Sequence, residues 1–231
     1  MLLGIDTSGA VSVAVARGAL DGTTPEILTV HGDERSRHHD EVLLSLVDTA
    51  MGEVGVQRSD LTGIVVGRGP GPFTGLRVGL VAARSIAGVL GIPLHGLSSL
   101  DALAHQALAT TDASPVTVGV ALDARRREVY HARYRRDEDG TVTRTSEPAV
   151  DLPADVSAEL SACDLLVGSG TAIYPELLPA TVEMAHVDAG HLILAAAQLA
   201  GQGIGLSSTD PMYLREPDAA KPTARKSALG R

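Results

Sequence analysis

The sequence predicts an α/β protein of two lobes with a mixed sheet in each. Three observations carry this. The first strands follow one another as a meander, later strands alternate with helices, and both halves of the chain loosely repeat that order. At 231 residues the chain is long enough to bury a sizeable core.

Leu2 to Ile5 is an apolar strand, Asp6-Thr7-Ser8-Gly9 supplies turn chemistry, and Val11, Val13 and Val15 alternate as a second strand. Ile27 to Val30 reads as a third strand, antiparallel to its neighbours. Over 40–54 the positions Leu43, Leu46, Val47, Ala50, Met51 and Val54 mark one helical face. A strand over 63–66 then enters Gly67-Arg68-Gly69-Pro70-Gly71-Pro72-Phe73-Thr74-Gly75-Leu76-Arg77. Its glycines reach backbone angles closed to other residues, and Pro70 and Pro72 fix φ, so the loop is stiff. A helix over 74–90 follows, with Thr74 as its cap and Gly79, Ala82, Ala83, Ala87 and Gly88 as small residues that admit a close neighbour. Its N-terminus offers a place for an anion; a tight packing corner is the alternative. Gly91 ends that helix and Pro93 prevents its continuation.

Ser98 and Asp101 form a capping box that opens a helix through Ala109. The polar run 110–115 divides the lobes, giving 1–109 and 110–216. In the second lobe Val116 to Leu122 and Glu128 to Tyr134 read as a hairpin around Asp123-Ala124-Arg125-Arg126-Arg127, and 137–140 is a further turn. Leu165-Leu166-Val167 leads into Gly168-Ser169-Gly170, and Ala189 to Leu199 is an apolar helix. The basic tail 217–231 has the composition of a disordered segment.

Composition excludes several classes. The one cysteine, Cys163, rules out an internal disulfide and fits a reducing cytoplasm. Asp6 interrupts the first apolar run, which has no basic region before it, so no signal peptide is expected. The longest apolar stretches carry Gly, His or Asp and are read as too short to span a bilayer. Net charge is −9, and residues 215–231 hold five basic and two acidic residues, which leaves −12 on 1–214. A body that acidic, with four Tyr, one Phe and no Trp, disfavours direct binding of nucleic acid.

No catalytic constellation assembles from spacing. The glycines do not fit the dinucleotide fingerprint, and no lysine follows them as a P-loop requires, since Lys221 and Lys226 are the only lysines. Asp6, Thr7 and Ser8 can face a phosphate or metal, or bond their own backbone as a turn. His38-His39-Asp40-Glu41 has the wrong spacing for one ion, because adjacent helical side chains diverge by about 100°. His105 and His191 read as isolated, partly buried histidines. Ser98 and Ser99 lack a base at motif spacing, and Arg125-Arg126-Arg127 reads as a solvated loop.

Several segments taken together resemble the TsaB (YeaZ) family. They are Leu3-Gly4-Ile5-Asp6-Thr7-Ser8, Arg37-His38 with Leu43-Leu44, Gly67 to Gly79, Gly91-Ile92-Pro93 to Leu100, Asp123-Ala124-Arg125 with Glu128-Val129-Tyr130, and Pro211-Met212-Tyr213-Leu214-Arg215. They keep the family's order over about residues 2–215, and the loop containing Gly69, Pro70, Gly71, Phe73, Thr74, Gly75 and Arg77 is the most specific. Pro72 stands where the family usually has Ser, and Gly9-Ala10 replaces more polar residues.

The resemblance implies a two-lobed actin-like fold with a mixed five-stranded sheet in each lobe. It also implies a non-catalytic scaffold subunit that pairs with the catalytic paralogue TsaD. That complex moves threonylcarbamoyl from threonylcarbamoyl-adenylate to the tRNA adenosine beside the anticodon, and the ATPase TsaE docks where the paralogues meet. TsaD binds its metal through a His pair, and Ser99 and Leu103 occupy those two positions here, so no metal or other cofactor is expected. Asp6, Thr7 and Ser8 would then be a vestigial phosphate turn. Pairing would use helices 40–54 and 74–90, with Leu43, Leu46, Val47, Leu76, Leu80 and Ala83 including interface residues as well as core ones, and the same surface would form a homodimer when the partner is missing. Contact with tRNA would be indirect, through the complex, in the cytoplasm. The rival readings are an actin-like small-molecule kinase, a peptidase-like enzyme, and an RNA-binding module working through the tail.

Overall fold

The unbroken apolar run at the N-terminus becomes the centre of a sheet: every residue of β1 (Leu2–Asp6) is buried. The computed structural model describes residues 1–34 and 39–215, with backbone only at 39–41. Arg37-His38, the side chains of the 38–41 group and the tail 217–231 lie outside the described residues. β1 pairs antiparallel with β2 (Val11–Arg17) and parallel with β4 (Gly63–Gly67). β3 (Glu26–Asp33) pairs antiparallel with β2, and β5 (Leu94–Leu97) adds parallel to β4, which gives the order β3-β2-β1-β4-β5.

Period-two alternation decides which helices meet which face. Leu3, Ile5, Val13, Ile64 and Val66 point to α1 (His39–Glu53) and α2 (Phe73–Leu90). Leu2, Ala14 and Val65 point the other way and join the core built by α3 (Ser99–Leu108) and α6 (Ala189–Gly201). Gly4 allows this second contact, because a Cβ there would lie 2.7 Å from the Ala189 carbonyl oxygen and 2.9 Å from Ile193.

The second sheet has the path β10-β6-β7-β8, from β6 (Val116–Asp123), β7 (Val129–Arg136), β8 (Val142–Arg144) and β10 (Leu165–Val167), with β9 (Ala149–Asp151) also on β7. One face meets α3 and the other meets α4 (Pro153–Ser161) and α5 (Ser169–Ile173). The layers therefore run α1/α2, first sheet, α3/α6, second sheet, α4/α5, and the architecture is actin-like. Two helices cross between the expected lobes 1–109 and 110–216. α3 comes from the first and packs on the second sheet, whereas α6 comes from the second and packs on the first.

Local expectations are met at Gly91, which closes α2 in the left-handed region with φ 65°, and at the antiparallel β6–β7 hairpin. Three need correction. Thr74 lies inside α2 and does not cap it; Pro72 precedes the helix, and no side chain caps its first turn. The capping box is half formed: Ser98 Oγ accepts from the Leu100 N–H at 3.3 Å, but Asp101 accepts from the Tyr134 hydroxyl at 2.7 Å and pairs with Arg144. Asp101 is diverted because α3 runs against the second sheet, where those partners sit. Finally, α2 has the length and composition to cross a bilayer, contrary to the sequence reading. Arg77 and Arg84 lie on it, and Leu76, Leu80, Ala83 and Ala87 bury its inner face against the first sheet.

His105 and His191, read as isolated, meet across the α3/α6 layer with their Nδ1 atoms 3.1 Å apart. One ring must donate and the other accept, so both cannot carry a proton on these facing nitrogens. Burial, reinforced by His191, lowers the His105 pKa from 6.5 to about 4. The unfolded chain thus takes up this proton as pH falls through about 6.5, while the folded chain resists down to about 4. Stability should fall over that window, and His105→Gln should flatten the fall in urea midpoints measured at pH about 7.5 and about 5.

Candidate functional site

The turn after β1 and the Gly/Pro loop after β4 are brought together because β1 and β4 are parallel neighbours. Their fit explains the glycines. A Cβ on Gly67 would lie 1.8 Å from Asp6 Oδ2, one on Gly71 2.4 Å from the Ser8 carbonyl oxygen, and one on Gly79 2.3 Å from Thr7 Oγ1. Each of the three turn residues is thus accommodated by a different glycine. Gly69 sits at φ 91° and turns its carbonyl to accept from the Ser99 N–H at 2.8 Å. The loop packs closely against the turn, and Gly71, Pro72, Thr74 and Gly75 also line the cleft.

Asp6 is 1% exposed, and its carboxylate is held inside the protein. Oδ1 accepts from the Ser8 N–H at 2.9 Å and Ser8 Oγ at 2.7 Å, while Oδ2 accepts from Ser99 Oγ at 2.6 Å. Burial raises its pKa above the usual 3.8, against the lowering effect of these bonds and of His186. Thr7 Oγ1 accepts from the Gly79 N–H at 3.2 Å. The Asp6 and Thr7 side chains are spent on the joint. Only Ser8 of the three reaches the interlobe cleft, a 420 Å³ space also lined by Gly71, Thr74, Asp123, Arg125, Ser169 and His186.

Ser99 and Leu103 have structural surroundings. Ser99 Oγ is bound to Asp6, and Leu103 is fully buried in the core between the sheets. Among the described residues, no group of three or more His, Cys, Asp or Glu side chains is placed to hold a metal. The Ser8 and Ser99 hydroxyls both donate to Asp6, and Ser98 Oγ donates to the Gly69 carbonyl at 3.3 Å. None of the three is paired with a histidine base.

The second surface lies on the outer side of α1 and α2. A 920 Å³ groove there is lined mostly by apolar residues, including Leu44, Phe73, Val81, Ile86 and Val89, together with Asp48, Arg58, Thr74, Arg77 and Ser85. Leu43, Val47, Leu76, Leu80 and Ala83, expected at an interface, are 4% exposed or less and pack against the first sheet, Leu43 and Val47 also lining the groove, and Leu46 is half-buried. The exposed apolar positions are their neighbours: Leu44 at 56%, Phe73 at 45%, Val81 at 61% and Val89 at 87%. The available signal was that α2 is apolar on two faces, with Val81 and Val89 eight positions apart and out of phase with Leu76, Leu80 and Ala83.

Sequence reasoning also missed the strap formed by the final described residues. Leu206 accepts from the Gly96 N–H at 2.8 Å, the Met212 N–H donates to the Arg68 carbonyl at 2.7 Å, and Arg84 donates to the Thr209 carbonyl at 2.7 Å. Arg215 then reaches the second lobe, donating to the Ala124 carbonyl at 3.3 Å and pairing with Glu128.

These features define a two-lobed actin-like protein whose first-strand turn is a packing joint and whose outer helices present an apolar groove. A family model described as tRNA N6-adenosine threonylcarbamoyltransferase (TsaD) matches residues 24–202. An uncharacterized protein of Mycobacterium tuberculosis is 38% identical over 89% of this chain and 94% of its own length. The tRNA threonylcarbamoyladenosine biosynthesis protein TsaB of Escherichia coli is 32% identical over 95% of this chain and 96% of its own. The structure of YeaZ from Pseudomonas aeruginosa superposes with a TM-score of 0.75 at 29% identity, covering 92% of this chain and 99% of that one. The chain belongs to the TsaB (YeaZ) family.

The Asp6 joint makes a two-way prediction. Asp6→Ala leaves the Ser8 and Ser99 hydroxyls without their buried acceptor and should cost about 2 kcal/mol in a denaturant titration. Asp6→Asn keeps the volume and removes the ionisation. Because the folded pKa is raised, Asp6 lowers stability as pH rises from 3.8 through its folded value, and that contribution should vanish in Asp6→Asn when the two proteins are compared across pH.

Proposed function

We propose that this chain is the scaffold subunit of a tRNA threonylcarbamoyladenosine machinery, pairing with its catalytic paralogue TsaD through the outer face of α1 and α2. The observation that carries this reading is the apolar groove on those helices, a patch that a lone chain would gain by covering. The partner supplies the metal and transfers threonylcarbamoyl from threonylcarbamoyl-adenylate to the adenosine beside the anticodon. This chain holds the partner in its working shape, TsaE docks where the two meet, and tRNA is reached through the complex. Alone, the same face closes on a second copy. The site of action is the cytoplasm.

The Asp6-Thr7-Ser8 turn supports a non-catalytic role, because the groups that would face a phosphate are bound to Ser99, Gly79 and one another. We read it as a vestige of a phosphate turn.

The test is co-expression with the organism's own TsaD, followed by size-exclusion chromatography with light scattering. A heterodimer that displaces any homodimer is expected. Val81→Arg and Val89→Arg lie on the exposed side of α2 and should abolish that heterodimer while the thermal midpoint of the isolated chain stays within a few degrees. Ala83→Arg is a poor test, because Ala83 is buried and the variant would unfold. An unchanged complex with both valine variants would place pairing elsewhere.

A further inference from the structure

The apolar groove ends in an aromatic and cationic stack. Phe73, the first residue of α2, stacks on Tyr213 of the strap with ring centroids 5.2 Å apart and planes 26° from parallel. The Arg77 guanidinium sits 3.7 Å from the Phe73 ring centroid, and its Nε donates to the Tyr213 hydroxyl at 3.0 Å. Those contacts fix the guanidinium plane and use one of its five N–H donors. Its other four find no carboxylate among the described residues. Arg58 and Arg84 differ in this respect: Arg58 pairs with Asp48 at 2.8 Å and Arg84 with Asp210 at 3.5 Å.

We infer that Arg77, positioned by Phe73 and Tyr213, is the polar anchor of the pairing face and takes a carboxylate from the partner's facing surface. The inference rests on the pairing reading above and names the chemistry of that contact. The partner carries an apolar ridge that fills the groove and an acidic side chain at the end of that ridge. Three physical points favour this. Arginine and aromatic residues are enriched where interfaces are strongest, and a guanidinium held flat loses little freedom on binding a carboxylate in a two-pronged geometry. Phe73 and Arg77 both line the groove, so an occupant meets the guanidinium without a detour. With −12 on residues 1–214, most of this surface repels an acidic partner, so a cation at the groove's end with no carboxylate partner among the described residues sets orientation and register. The strap is then a positioning element, because it delivers the tyrosine that orients Arg77.

The experiment measures the dissociation constant of the complex with TsaD across salt concentration for wild type, Arg77→Met, Arg77→Glu and Tyr213→Phe. Far-ultraviolet circular dichroism and thermal melting of each isolated chain check the fold. Arg77→Glu should weaken binding about tenfold or more at low salt, and Arg77→Met should weaken it less while flattening the salt dependence. Tyr213→Phe keeps the stack and removes one hydrogen bond, so it should weaken binding about twofold to fivefold with the salt dependence retained. A wild-type complex with Arg77→Glu at unchanged affinity overturns this inference and leaves the pairing reading standing. No wild-type complex at all overturns the pairing reading, and this inference with it.

Discussion

The buried Asp6 carboxylate is the interaction on which the rest of the architecture depends. It stands at the end of the central strand β1, and its three hydrogen bonds tie the following turn to Ser99, the first residue of α3. That fixes where α3 leaves the first sheet and therefore how it reaches the second. A buried carboxylate costs free energy unless its oxygens are satisfied, so the serines at 8 and 99 and the missing side chain at Gly67 act as one unit. The same arrangement removes Asp6 from the cleft. A group that could have served chemistry is committed to structure.

The exchange of helices between the halves follows from that joint. With α3 against the second sheet and α6 against the first, the space between the sheets is filled by a two-helix layer, and the two sheets share one core. The first sheet's other face is covered by α1 and α2, whose outer sides are met by the strap at Phe73, Arg77 and Arg84 and by Arg58 at Asp48, and which leave Leu44, Val81 and Val89 exposed. The apolar groove is what this layering leaves on the outside, and the strap closes its end by bringing Tyr213 onto Phe73. Joint, layer and groove are successive consequences of one packing order.

Much of this was legible from residues alone. The β1 run, the β6–β7 hairpin and the stop at Gly91 all rest on local backbone geometry, and the structure has them; of the loop glycines only Gly69 takes the left-handed φ that the sequence reading assigned to all of them. The short strands β8 and β9 and helix α4 went unread, because three to nine residues give too few repeats for a period to emerge. At the site, the turn Asp6-Thr7-Ser8 was visible, but whether it faced a ligand or its own chain was not. That depended on Gly67, Gly71 and Gly79, which lie some sixty to seventy residues away and approach only because β1 and β4 pair in parallel. The six residues expected at the interface were selected by the periodicity that marks a buried face, so five of them are 4% exposed or less, and of these Leu43 and Val47 also line the floor of the groove.

The sequence by itself determined the fold class, the order of the elements and the family, because helix and strand periods and the Gly/Pro loop are written in neighbouring residues. The tertiary structure alone decided the crossing of α3 and α6, the meeting of His105 with His191, and the seating of the strap on the loop. It also decided which apolar residues of α2 remain outside. Burial is a property of what arrives from elsewhere in the chain. A helix with two apolar faces carries no local mark of which one will be covered.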